Sequence, residues 1–303
     1  MALLIRKAMV IANPASRRGA RLARHAHRAL ASRLDECDVL LTKHPGHAAE
    51  LASTHAGGYD AVFVLGGDGT VMEVAGALAE QRMAIPIGVL AGGTGNLVAR
   101  ALGIPLSVDK AVPALLDGDE LLIDLGRLDT GRRFAIAAGV GIDASMIAET
   151  PGWLKRRLGV LAYAIMGSRA AVRAVVGRDL FDVRVTVDGV SHDRRVAAVM
   201  MANFGAVFGD RLTLGPEIHT DDGLLDACLF SPRSLGDAVR IMWRMYRRDF
   251  RSDPSVLYVR GKEIRIETTP AKPWQADGEL MGTTPFCAVV EPLALRLLVP
   301  HRG

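Results

Sequence analysis

The chain has 303 residues, half of them apolar and 23% charged, with a formal net charge of +4. That composition excludes disordered and fibrous classes, and the length suits two domains. The basic balance favours anionic partners, whether phosphates, nucleic acid or an acidic membrane surface, without choosing among them.

In chain order, residues 8–12 are a short apolar strand ended by Asn13-Pro14. An Ala- and Arg-rich stretch predicts a helix over 17–33, followed by a strand over 38–42 and a helix over 47–55. Residues 61–65 are an unbroken apolar run and so a buried strand. It opens into Gly66-Gly67-Asp68-Gly69-Thr70, with a helix over 71–82 behind it. The strand over 86–90 opens likewise into Gly92-Gly93-Thr94-Gly95-Asn96. Alternation of this kind predicts an α/β domain with a parallel sheet, which binds ligands at the carboxyl ends of its strands.

After about Asp124 short strands dominate, over 134–139, 181–187, 196–202, 224–230, 256–259, 264–267, 286–290 and 295–299. Asp188-Gly189, Asp222-Gly223 and Asp277-Gly278 are turn dipeptides between them. This predicts a mostly antiparallel β-sandwich interrupted by helices over 154–176 and 235–250. The expected domains are 1–127 and 128–292, with a C-terminal strand over 293–303 returning to the first.

Cys37, Cys228 and Cys287 form no CxxC pair and no disulfide framework, which points to a reducing compartment. The N-terminus places basic residues after a very short apolar stretch, the wrong order for a signal peptide. No uncharged apolar run approaches the ~20 residues of a spanning helix. The expectation is a cytoplasmic chain, with any membrane contact peripheral at the inner surface.

Glycines after a buried strand let backbone approach a ligand closely, and the following helix aims free N–H groups at the same spot. Asp68 is unusual there, since a carboxylate repels phosphate unless a cation intervenes or the acid handles a proton. Thr70 and Glu73 have the spacing of a capping box. Neither loop is a P-loop or a dinucleotide fingerprint. His44 and His47 read as helix-start residues, with no third ligand spaced for zinc.

GGDGT at 66–70, GGTGN at 92–96, Asn13-Pro14, Asp222-Gly223-Leu224-Leu225-Asp226 and Asp277-Gly278-Glu279 together resemble the diacylglycerol kinase catalytic-domain family. That family includes bacterial soluble lipid kinases, sphingosine kinases and ceramide kinases, and the resemblance covers nearly the whole chain. It implies an NAD kinase-like α/β domain, ATP as phosphoryl donor and Mg2+ as cofactor. It implies a nucleotide site of Asn13, Pro14, Thr42, Gly66, Gly67, Asp68, Gly69, Thr70, Glu73, Thr94 and Asn96. A structural magnesium would take the Asp222 carboxylate and the His219 and Leu224 carbonyls, with Asp124 joined to the metal network. Asp277 and Glu279 match the general-base region, and which of them takes the proton stays open. The family's usual stretch after Asn-Pro is replaced by Ala15-Ser16-Arg17-Arg18-Gly19, so Arg17 or Arg18 would supply the phosphate contact.

The implied reaction is phosphorylation of a lipid hydroxyl, diacylglycerol to phosphatidic acid. The alternatives are a sphingoid base or ceramide as acceptor, an NAD kinase, and a non-catalytic nucleotide or lipid sensor. Two basic stretches with tryptophan, 153–173 and 240–251, read either as membrane-surface helices or as helices packed on the sandwich with a solvated arginine face. The expected partners are nucleotide and a lipid substrate at a membrane surface, with no nucleic acid. A homodimer is compatible with this reading.

Overall fold

The structure is a computed structural model, and it describes residues 4–14, 19–141, 180–207 and 212–301. The predicted helix over 154–176, the basic stretch 153–173, and Arg17 and Arg18 lie outside the described residues. The chain divides into two compact units, residues 1–123 with 293–303, and residues 124–292.

The first unit is built on β1 (Lys7–Ala12), β2 (Glu36–Leu41), β3 (Ala61–Gly66) and β4 (Ile87–Ala91). They pair in parallel in the order β2-β1-β3-β4. Helices α1 (Gly19–Ala31), α2 (His47–His55), α3 (Asp68–Glu80), α4 (Leu97–Ala101) and α5 (Val108–Leu116) connect them. α1 packs with α5, and α2 with α3. All six residues of β3 are buried, as expected of a parallel strand covered on both faces. Met9, Ile11, Phe63, Leu65, Ile87 and Leu90 are fully buried in this core. Each such side chain contributes roughly 1.5–3 kcal/mol of transfer free energy.

Between the units the chain runs through β5 (Asp119–Leu128) and returns through β18 (Phe286–Val299). The returning end of β18 pairs in parallel with β4, Leu297 opposite Ile87.

The second unit is antiparallel. One sheet has the order β14-β13-β10-β7-β16-β17. Its strands are β7 (Ala137–Gly141), β10 (Ala198–Ala202), β13 (Leu225–Phe230), β14 (Val256–Gly261), β16 (Pro273–Ala276) and β17 (Glu279–Thr283). The other joins the first half of β18 to β15 (Glu263–Thr269), β8 (Phe181–Val187) and β9 (Val190–Val196). β6 (Arg133–Phe134), β11 (Ala206–Val207) and β12 (Leu212–Thr213) are two-residue strands. Along β8, Phe181, Val183, Val185 and Val187 are buried while Asp182 and Arg184 are exposed, the period of two of a one-sided strand. Those four pack with Val199, Met201, Leu225, Leu229, Ile264 and Ile266 in a sandwich core. Trp274 stacks on Phe286 there at 4.0 Å.

Helix α6 (Leu235–Arg247) carries a capping box. Ser234 Oγ accepts the Asp237 amide, and Asp237 accepts the Ser234 amide. Ile241 and Met245 of this helix pack in a second cluster with Ala202, Leu214 and Cys228.

Candidate active site

The parallel strands of the first unit end in step. Ala12 lies opposite Leu41 and Leu65, and Gly66 opposite Ala91. This register collects Asn13, Thr42 and both glycine loops along one edge. The Asn13 amide donates to Leu65 O at 3.0 Å and the Thr42 amide to Ala12 O at 2.9 Å.

The two glycine loops touch backbone to backbone. The Gly92 amide donates to Gly66 O at 2.9 Å. A Cβ on Gly93 would lie 2.6 Å from Gly67 Cα, and one on Gly66 would lie 2.7 Å from Thr70 Cβ. Glycine at 66 and 93 is therefore demanded by packing between the loops and onto α3, before any ligand is considered. Asn96, with φ 49, clamps its own loop, accepting the Gly93 amide and donating to Gly93 O, both at 2.9 Å.

Asp68 joins the loops. Its Oδ1 accepts the Val98 amide at 3.1 Å, and the Asn96 and Leu97 amides also stabilise its charge. Burial nevertheless raises its pKa above the ordinary carboxylate value. The sequence suggested a cation or a proton for Asp68; here its carboxylate closes the start of α4. Helix α3 begins at Asp68 itself, with Gly67 as N-cap and no side-chain cap. Its first-turn N–H groups lack helical partners. Thr94 is exposed in the second glycine loop.

The Thr70–Glu73 capping box is a correction, since α3 starts before Thr70. Glu73 instead accepts the Gly46 amide at 3.0 Å and the Ala48 amide at 3.2 Å. The N-cap of α2 is Gly46, at φ 85, with no side chain to offer. Glu73 supplies the acceptors from the neighbouring helix, so the loop after Thr42 is held by α3.

The absence of a third ligand near His44 and His47 is also corrected. Glu50, three residues on from His47, brings the three ligand atoms within 4.8 Å of one another. The Lys43 amide, however, donates to His47 Nδ1 at 3.0 Å. That places the ring proton on Nε2 and withdraws this ring from metal binding in the observed arrangement.

In the second unit, Asp277-Gly278 is a two-residue hairpin turn, with φ 45 and 85 and Ala276 opposite Glu279. These angles are those of a type I′ turn. Asp277 is buried and accepts three successive amides, Ala135 at 2.7 Å, Ile136 at 2.9 Å and Ala137 at 3.0 Å. Its carboxylate thus anchors the hairpin to the segment entering β7. Glu279 is exposed and pairs with Arg132 at 2.7 Å.

Asp124 is fully buried. Its Oδ2 accepts the Gly223 amide at 2.7 Å, and its own amide donates to Thr220 O at 2.6 Å. It therefore fastens the 219–224 loop. Asp222 accepts the Leu224 amide at 3.0 Å and meets Arg260 at 2.9 Å. Arg260 also binds Glu217 O at 2.8 Å and Asp226 at 3.3 Å. Burial raises the Asp226 pKa, and Arg260 partly offsets it. The donors here are hard oxygens of the kind magnesium takes. A guanidinium already neutralises Asp222, so a cation bound there would share that carboxylate with Arg260. His219 is exposed and Leu224 half-buried at the two ends of the loop.

Arg132 and Arg260 were not singled out by the sequence. Arg132 lies 147 positions from Glu279, and no local spacing signals such a pair.

Residues 7–128 match the family described as Diacylglycerol kinase catalytic domain, and residues 135–299 match the YegS C-terminal NAD kinase beta sandwich-like domain. The chain belongs to the diacylglycerol kinase catalytic-domain family. The chemistry of that family is phosphotransfer to an alcohol acceptor. A diacylglycerol kinase of Staphylococcus carnosus is 29% identical over 75% of this chain and 72% of that protein. An uncharacterised Synechocystis protein, sll0036, is also 29% identical, over 79% of this chain and 54% of its own length. The chain thus spans about half the length of that relative. A solved diacylglycerol kinase structure from Bacillus anthracis str. Sterne shares the fold, with a TM-score of 0.72 at 22% identity, covering 97% of each chain. Within the family match, both glycine loops fall in the catalytic-domain segment, while Asp222, Asp277 and Glu279 fall in the sandwich segment.

Proposed function

We propose that this member of the family is an ATP- and Mg2+-dependent lipid kinase that phosphorylates diacylglycerol to phosphatidic acid at the inner membrane surface. The observation that carries the reading is the pair of interlocked glycine loops beside the uncapped start of α3, an anion-binding arrangement at the carboxyl edge of a parallel sheet. In this proposal the α3 amides and Thr70 bind nucleotide phosphates, with Asn13, Pro14, Thr42, Thr94 and Asn96 around them. Glu73 acts by holding the loop after Thr42 in place.

The acceptor hydroxyl gives its proton to the acidic pair of the hairpin. Its oxygen attacks the γ-phosphorus as the bond to the β,γ-bridging oxygen breaks, and ADP leaves. Of the pair, Glu279 is the exposed acid, while Asp277 has its oxygens engaged by three amides. Asp222, with the carbonyls of His219 and Leu224, would hold magnesium, and Asp124 would brace that loop. When bound, magnesium supplies charge neutralisation.

The Staphylococcus carnosus relative, a diacylglycerol kinase, supports diacylglycerol as the acceptor. Transfer of labelled phosphate from ATP to diacylglycerol, a sphingoid base, ceramide and NAD in mixed micelles tests the reading. Transfer to diacylglycerol is expected. Transfer to NAD alone would refute it, and ATP binding without any transfer would favour a sensor.

A further inference from the structure

Helix α6 meets the sandwich with one face only. Ala238, Ile241 and Met245 are buried. On a neighbouring face Val239, Met242, Trp243 and Tyr246 are 62%, 49%, 59% and 57% exposed. Their spacing is i, i+3, i+4, i+7, which makes one continuous apolar stripe. It is about 10 Å long at 1.5 Å per residue. Trp243 and Tyr246 lie ring to ring at 5.8 Å. The sequence left open whether this helix packs on the sandwich with a solvated arginine face. It does pack, and what it leaves in water is the apolar, aromatic stripe together with exposed arginines.

Arginines run along one flank of the stripe, at Arg240, Arg244 and Arg247, again at helical spacing. Arg247 stands over the Trp243 ring, 5.9 Å from its centroid, and forms no ion pair among the described residues. Arg240 and Arg244 are held by Asp253, Asp237 and Asp249. Together with Arg233 they line a recess beside the helix. Residues 233–253 carry six arginines against three aspartates, so the segment around the stripe is net positive.

We propose that this face of α6 docks on an anionic phospholipid bilayer, the apolar stripe entering the headgroup boundary and the arginine flank meeting lipid phosphates. Charge complementarity selects this occupant. An apolar partner protein would leave Arg247 and the net positive charge of residues 233–253 unmatched, and a second copy of the same face would set like charges together. Trp and Tyr suit this depth because each joins an apolar ring to a polar edge. The inference rests on the lipid-kinase reading only for its purpose, namely delivery of the enzyme to its acceptor.

The test is co-sedimentation of the full chain with phosphatidylcholine vesicles, with and without phosphatidylglycerol, in the absence of nucleotide. Binding to the phosphatidylglycerol vesicles is expected, weakening as salt rises. Trp243→Ser should weaken it about ten-fold, and Arg247→Glu about five-fold. Both positions are exposed, so thermal melting should stay at the wild-type value. Equal binding by both variants, or no binding by the parent chain, would overturn the proposal. So would a shift from dimer to monomer in sedimentation velocity with Trp243→Ser, which would assign the stripe to a second copy. A chain that binds vesicles but transfers no phosphate would instead count against the kinase reading and leave this one standing.

Discussion

The carboxylate of Asp68, at the start of α3, accepts the amide of Val98, in the first turn of α4, at 3.1 Å. An acid in one glycine loop thereby closes the other. Asp68→Asn keeps the shape and loses the charge, so the amides of 96–98 lose a charged acceptor. Stability should fall by about 1–2 kcal/mol, and the apparent KM for ATP should rise. Denaturant melts and ATP titration check this, and wild-type values for both would show that Asp68 does not join the loops.

Gly93→Ala should be worse than its size suggests. The new Cβ would meet Gly67 Cα at 2.6 Å, and neither backbone can yield without moving its loop. A loss of roughly 1–3 kcal/mol follows from overpacking, together with loss of nucleotide binding. Gly57→Ala is the control, since nothing lies within 4 Å of that position. Thermal melts of the two, with and without ATP, compare them.

Asp277→Asn and Glu279→Gln should separate. The first replaces an acceptor of three amides and should cost about 1–3 kcal/mol of stability along with turnover. The second touches an exposed pair with Arg132, so melting should stay unchanged while kcat falls about a hundred-fold or more. If both keep full turnover, the proton acceptor lies elsewhere.

Arg260 and a divalent cation compete for Asp222 in the proposed site. Arg260→Gln should strengthen the magnesium dependence of thermal stability, and Asp222→Asn should abolish it. Titration of melting temperature against Mg2+ reads both, and no effect of either variant would remove the cation from this loop.

The ion network under α6 gives a pH dependence. Burial pushes the Asp253 pKa up, but Arg240, the Ser255 amide and Arg244 together hold it below the ordinary carboxylate value. A depressed acid contributes stability above its unfolded pKa and loses it as pH falls through the folded value. Asp253→Asn should therefore lower the melting point at neutral pH and flatten its fall between about pH 5 and pH 3.

The sequence was readable wherever burial is one-sided or complete. The helix over 47–55 and the strand over 181–187 appear at the predicted residues, because their apolar spacing matches what they bury. β9 was missed. Val190–Val196 reads VSHDRRV, with too few apolar side chains to signal a strand, and its pairing with β8 holds it. The strands expected over 286–290 and 295–299 are one strand, Phe286–Val299. Between them Pro292 has no amide to donate and Leu293 takes φ 48, yet the strand continues through both. At the site, the glycine loops were visible as motifs. The acceptor roles of Asp68, Glu73 and Asp277 were not, because their partners lie 30, 25 to 27, and 140 to 142 positions away.

β18 has a consequence for how the protein is made. The first unit includes residues 293–303, and β4 finds its parallel neighbour at Leu297. During synthesis from the N-terminus the first 123 residues emerge with that side of β4 uncovered, and they wait for the rest of the chain before the strand arrives. A chain made without residues 293–303 would leave that edge of the first unit's sheet open to pairing with other chains. Residues 293–303 are in this sense the last piece of the first unit.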